Sequence, residues 1–209
     1  IYAPHLGACD EILAILRRRL TASMNAMDVP DPATTGVILL GRGSSDRQAN
    51  GEVAKMARWL QEDAFSRNVR HELVDFAFTG ITYPRLERVV QRQVKLGMLQ
   101  IAILPYYLFT GTLVERIKRQ VARLQQQFPQ VIFHCGDYFG FEKETFTLLE
   151  KHIQDAVYHK QAMPCDGCRF REIAHELGHG HSHDHSHDHT HDHSHDHHAH
   201  DRDHQHAPA

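Results

Sequence analysis

The chain has 209 residues, 41% of them hydrophobic, with 23 basic and 26 acidic side chains and 20 histidines, enough for one α/β domain with a real core plus extensions. From His175 onward there are 15 histidines, seven acids and one arginine, so the tail carries about −6 and the body about +3; a body that mildly basic is no nucleic-acid platform but accepts an acidic small molecule. No stretch is apolar and long enough to span a membrane, no signal segment opens the chain, and four cysteines with only two closely spaced make no disulfide framework, so a reducing, cytoplasmic setting is expected.

The chain opens on Ile1 rather than methionine, inside what reads as a folded element, and this suggests a fragment. Residues 5–20, "HLGACDEILAILRRRL", carry a glycine, a short polar stretch and an amphipathic helical pattern. Residues 138–153, "YFGFEKETFTLLEKHI", repeat that order, a weak internal repeat. If the second copy closes one α/β unit, residues 1–25 close an earlier one, and 26–35, within "MNAMDVPDPATT", form the linker.

Strands are then expected at 36–40 ("GVILL"), 71–78 ("HELVDFAF"), 99–107 ("LQIAILPYY") and 130–136 ("QVIFHCG"). They are short, β-branched or aromatic and nearly continuous in apolar character, as strands covered on both faces are. Helical patterns lie between them: Val53, Met56, Ala57 and Leu60; Leu86, Val89, Val90 and Val94; Val114, Ile117, Val121 and Leu124; and finally Phe146, Leu149, Ile153 and Val157. The alternation predicts a three-layer α/β unit over 36–160, a parallel sheet with helices on both faces. Ligands in such sheets bind beyond the carboxyl ends of the strands, where "GRGSSD" and "PYYLFTGT" stand. Residues 161–174 hold a short cysteine-bearing segment, and 175–209 degenerate to His-x-His-x with Ser, Asp and Thr, expected to be disordered for want of apolar residues.

Three features carry chemistry. The first is the tail, a chelator by composition: His181, His183, His185, His187, His189, His191, His193, His195 and His197 alternate with small polar and acidic residues. Neutral imidazole is the commonest side-chain ligand for first-row divalent metals, and so loose a set follows the Irving–Williams order among cobalt, nickel, copper and zinc. "HELGH" at 175–179 matches the zinc-protease helix motif formally, but Gly178 and the low-complexity tract after it deny the rigid helix that motif requires. The second is "MPCDGC", in which Cys165 and Cys168 can share a metal or form a redox disulfide; zinc completed by His175 and His179, or an iron–sulfur cluster needing about four thiolates, both remain open. The third is the loop "GRGSSD", which places Arg42, a permanently charged and non-ligating group, where an active-site loop usually offers a proton acceptor or metal ligand.

"ILLGRGSSD", "PYYLFTGTLVERI", "MPCDGC" and the His-rich end, in that order, resemble the long form of the sirohydrochlorin cobaltochelatases of the CbiX/SirB type. The resemblance implies a class II tetrapyrrole chelatase built of two similar α/β halves around a cleft, with this chain matching the second half and its tail. It implies sirohydrochlorin as substrate and Co²⁺ as the inserted metal, with Fe²⁺ or Ni²⁺ as alternatives. It also implies a 4Fe-4S cluster at the Met163, Cys165 and Cys168 motif, shared between chains, and as partner the missing upstream half or a second chain. The family's catalytic histidines would fall at Arg42 and Leu113, so this half lacks them, while Arg42, Ser44, Ser45, Arg47, Tyr106 and Tyr107 are the expected substrate-binding residues. The other reading is a non-catalytic cobalt or nickel storage or delivery protein whose α/β body is a docking module.

Overall fold

The structure, a computed structural model, describes residues 5–159. Helix α1 (Asp10–Asn25) precedes four β/α pairs: β1 (Thr35–Gly41) and α2 (Arg47–Ser66), β2 (Val74–Phe78) and α3 (Leu86–Lys95), β3 (Gln100–Pro105) and α4 (Thr112–Gln127), β4 (Ile132–Cys135) and α5 (Lys143–Tyr158). The strands form one parallel sheet in the order β2-β1-β3-β4. All four expected strands and all five helical patterns are present: β1 is one residue longer at each end than expected, β2 starts three residues later and ends where expected, and β3 and β4 are one or two residues shorter at each end. Every residue of β1 and of β3 is buried, and these two lie in the centre of the sheet; β2 and β4, at its edges, are only partly covered.

Alternation along the central strands feeds two cores. Val37, Leu39, Ala102 and Leu104 face α1 and α2 and pack with Ile12, Ile15, Leu16, Leu20, Met56 and Leu60. Ile38, Leu40, Ile101 and Ile103 face α3 and α4 and pack with Leu86, Val90, Ile117 and Leu124. Helices therefore cover both faces, the layering that the continuous apolar strands demand. Within residues 1–25, helix α1 lies with α2 on one face of this sheet.

The last helix departs from the sequence pattern. Phe146, Leu149, Ile153 and Val157, the stripe that marks α5 as amphipathic, are exposed, while Thr145, Leu148 and Ala156 are the buried positions. Helix α5 packs on α1 rather than on the sheet, held by Arg18, which bonds Glu144 at 2.7 Å and Glu142 at 2.9 Å, and by Arg19, which bonds Glu142 at 2.7 Å. Cys165, Cys168 and the His-rich tail lie outside the described residues.

Candidate functional site

The chain leaves β1 for β2 on one side and later returns to lay β3 on the other, so the sheet's switch point lies between β1 and β3. Loops that diverge there open a crevice at the carboxyl ends of the strands. A cavity of about 580 Å³ occupies that place on the α1/α2 side. Its lining comes from three pieces: His5, Leu6, Gly7 and Ile12 around the start of α1; Asp46, Gln48, Ala49 and Glu52 on the first turns of α2; and Tyr106, Leu108 and Phe139 beyond β3 and β4.

Local chemistry fixes each wall. Gly43 has a φ of 87°, and a Cβ there would lie 2.3 Å from the Gly80 carbonyl, so only glycine lets the β1 loop cross the β2 loop this closely. Gly80 N–H and Thr79 Oγ1 donate to the Arg42 carbonyl, which pins the loop's base. The Ser44 amide donates to Asn50 Oδ1 at 2.9 Å, the Asn50 amide nitrogen returns a bond to the Ser44 carbonyl, and Ser44 Oγ accepts from Asp46 N–H. Asp46 then caps α2 by accepting from Gln48 N–H at 2.8 Å. Glu52 accepts from Ala8 N–H at 2.7 Å and ties α2 to the segment entering α1.

The six expected substrate residues divide between two sides of the strand ends. Tyr106 turns toward α1: its hydroxyl donates to the Gly7 carbonyl at 3.1 Å and its ring meets Phe139 edge to face at 5.1 Å. Burial pushes this phenol well above the usual tyrosine range. Tyr107 points the other way, its hydroxyl 2.8 Å from Thr79 Oγ1. Burial raises its pKa, the Thr79 bond and the positive fields of Arg42 and Arg116 pulling against it. Arg42 thus belongs with Tyr107 and Arg116, not with Tyr106. Ser45, Arg47 and Arg42 are exposed, whereas Ser44 is half-buried and engaged in holding the loop. Leu113 is the second residue of α4, half-buried beside buried Val114.

Sequence reasoning missed His5, Glu52, Leu108 and Phe139. Gln48 and Glu52 are one helical turn apart, so their shared face was legible in principle. His5 and Phe139 come from segments 134 residues apart, and only the packing of α1 on the sheet joins them. Among the described residues no three His, Cys, Asp or Glu side chains converge as a metal-binding group. The two described thiols are free and poorly suited to ligation: burial raises both, Cys135 to about 11, and their sulfurs donate to the Leu6 and Gly136 carbonyls. Among the described residues no helix is long and apolar enough to cross a membrane.

A parallel α/β sheet with helices on both faces and a mainly apolar crevice at its switch point defines the class: an α/β unit of the doubly wound kind, with its candidate site at the strand ends. The CbiX family model matches residues 36–156, more than half of the chain, and the chain belongs to that family. It is 37% identical over 171 residues to the sirohydrochlorin cobaltochelatase of Priestia megaterium, a match covering 82% of this chain and 54% of the relative. It is 26% identical over 175 residues to the sirohydrochlorin ferrochelatase of Bacillus subtilis (strain 168), covering 83% and 62%. The fold is also that of SirB from Bacillus subtilis with Fe³⁺, at a TM-score of 0.60 and 27% identity, over 76% of this chain and 58% of that one. The chain therefore spans little more than half the length of the curated relatives it matches.

Proposed function

We propose that this chain supplies one α/β half of a sirohydrochlorin chelatase that inserts Co²⁺, with Fe²⁺ as the second candidate, in cobalamin or siroheme biosynthesis. The observation that carries this reading is the 37% identity, across 82% of this chain, to a sirohydrochlorin cobaltochelatase. Insertion requires two pyrrole N–H protons to leave and a metal to be held by ligands that release it. A group with a pKa near 6.5 serves both needs. Arg42 and Leu113, at the two positions where the family resemblance expects histidine, do neither: one is permanently charged and the other is a hydrocarbon. This half's work is then binding. The apolar crevice receives the edge of the macrocycle; exposed Arg47 stands next to the lining residues Asp46 and Gln48, while Arg42 and Arg116, on the Tyr107 side of the strand ends, are available to carboxylates that extend past the crevice, which a guanidinium clamps bidentately. Tyr106 shapes the crevice wall and Tyr107 holds the rim, each hydroxyl already hydrogen-bonded.

Cys165 and Cys168 are two of the four or so thiolates a 4Fe-4S cluster needs. Cys9 and Cys135 do not fit as the others: burial raises both thiols, and each sulfur donates to a backbone carbonyl. The tail from His181 to His197 suits reversible binding of Co²⁺ or Ni²⁺. Deleting residues 175–209 is expected to remove most bound Co²⁺ while leaving the melting of the body unchanged; retained stoichiometry in equilibrium dialysis refutes the chelator.

The decisive experiment is a cobalt-insertion assay with sirohydrochlorin. Residues 1–209 alone are expected to bind the tetrapyrrole weakly and to insert cobalt no faster than the uncatalysed rate. Supplying the other half restores insertion. Robust turnover by residues 1–209 alone means that another residue in this chain handles metal and protons, and overturns the account of Arg42 and Leu113.

A further inference from the structure

Metal insertion has to remove two pyrrole N–H protons, and neither Arg42 nor Leu113 accepts one. The crevice holds groups that do. Gly7, in left-handed backbone at φ 52°, bends the chain just before α1, and three titratable side chains converge on that bend. A Cβ on Gly7 would lie 3.0 Å from His5 Nδ1 and 3.4 Å from Glu52 Oε2, so an imidazole and a carboxylate bracket one point. The Tyr106 hydroxyl donates to the Gly7 carbonyl at 3.1 Å. Asp46, the N-cap of α2, lines the same cavity.

Two carboxylates are out of place in a crevice that only binds a polycarboxylate, because like charges repel. Glu52 and Asp46 suit a positive charge instead. Insertion brings two kinds there: the metal, and whatever group has taken a proton. Among the described residues no three His, Cys, Asp or Glu side chains converge as a metal-binding group, which leaves the proton. Of the groups around Gly7, Tyr106 is no acceptor, since burial raises its phenol and its proton already bonds the Gly7 carbonyl. Glu52 is engaged in structure: it accepts from Ala8 N–H at 2.7 Å, and Lys55 stands 3.9 Å away. His5 is exposed at the mouth of the crevice. An imidazole there has both the lining of the cavity and the solvent within reach.

We infer that His5 is the proton acceptor that this half contributes to metal insertion, with Glu52 as the residue that positions it and offsets the charge of the imidazolium. The inference rests on the reading of the crevice as the seat of the macrocycle edge, and it adds one chemical step to the binding performed there. In that step a pyrrole N–H bond breaks and the proton bonds to an imidazole nitrogen. The electron pair left on the pyrrole nitrogen is the pair that binds the incoming Co²⁺, and nothing is oxidised or reduced. The imidazolium then passes its proton to water. Neutral imidazole is the base best matched to this exchange near pH 7. The charged and titratable groups around His5 are Glu52 and Asp46 from α2, Tyr106 beyond β3 and Cys9 at the entrance to α1; burial raises Tyr106 and Cys9, so the two carboxylates supply the offsetting charge. Holding the metal stays with the other half, so residues 1–209 alone still insert no cobalt.

The test is cobalt insertion into sirohydrochlorin by residues 1–209 with the unmatched part of the Priestia megaterium cobaltochelatase fused ahead of residue 1, comparing wild type with H5A, H5Q and E52Q. Both His5 variants are expected to lose about tenfold or more in kcat. Their KM, and the metal-free affinity of the lone chain for the tetrapyrrole, are expected to stay within about twofold. Added imidazole is expected to restore H5A in proportion to its concentration and to leave wild type unchanged. Glutamine at position 52 still accepts from Ala8 N–H, so E52Q keeps the fold and loses only the charge; a smaller fall in kcat is expected, with KM and melting temperature unchanged. Equal kcat in wild type and H5Q overturns the inference alone and leaves the proposed function standing. A loss in H5A that imidazole does not restore, or one that comes with a matching fall in tetrapyrrole affinity, gives His5 a structural or binding role and overturns the inference too. Failure of the wild-type fusion itself to insert cobalt refutes the proposed function, and this inference with it.

Discussion

Helices α1 and α5 carry nearly the same apolar spacing, yet one is the floor of a core and the other has its stripe in solvent. The difference teaches that periodicity names a helix and its apolar side but not the surface that side meets. Helix α1 has a sheet beneath it, with Val37, Leu39, Ala102 and Leu104 pointing at it. Among the described residues helix α5 has the flank of α1 to pack on, reached by Leu148, Thr145 and Ala156 and closed by the Arg18, Arg19, Glu142 and Glu144 cluster. Matched substitutions on the two helices are therefore expected to behave very differently.

The largest expected effect is on α1. Leu16→Ala empties a fully buried site and is expected to cost about 2–5 kcal/mol in urea unfolding. A cost comparable to that of a surface change breaks the comparison, because α1 then does not share this core. Tyr106→Phe is next. It leaves the Gly7 carbonyl without its 3.1 Å bond at the entrance to α1, and about 1 kcal/mol is expected to be lost. Hydrogen exchange near the start of α1 is expected to quicken while α5 is unaffected.

The link between the two helices is expected to be weaker and pH-dependent. Arg18 holds Glu144 down to about 2 from the ordinary 4.5. A carboxylate depressed on folding stabilises at pH values above its unfolded pKa. That stability fades as pH falls from about 4.5 through about 2. Much of the pair is solvent-screened, so Arg18→Ala is expected to cost no more than about 1 kcal/mol at neutral pH. The gap between wild type and variant is expected to close as acid titrations approach pH 2; a gap that stays constant to pH 2 assigns the effect to packing of the Arg18 stem instead. The smallest effect is on the exposed stripe. Leu149→Ala in the lone chain is expected to shift stability by no more than about 0.5 kcal/mol, and a loss near that of Leu16→Ala sharpens the comparison against the exposed placement of α5.

Much of this protein was written locally. Buried parallel strands read as unbroken apolar runs, because both faces need covering, and "GVILL" and "QIAIL" proved to be the central pair. Helices showed their 3.6-residue period, and "GRGSSD" marked the loop that leaves β1; that Gly43 is needed there for a close crossing of the Gly80 loop is seen only in the fold. Family-level motifs were legible for the same reason: they are short and contiguous. Tertiary structure decided the rest. Tyr106 and Tyr107 are adjacent in sequence and were expected on one surface, but strand-like alternation at the end of β3 sends them to opposite sides. His5, Glu52 and Phe139 line one crevice although nothing local relates them, since only the packing of α1 beneath the sheet brings segments so distant in sequence together. Which of two similar helices is buried was decided by the sheet as well. An apolar stripe states a preference for leaving water, and the free energy is gained only where the folded chain presents a surface to receive it.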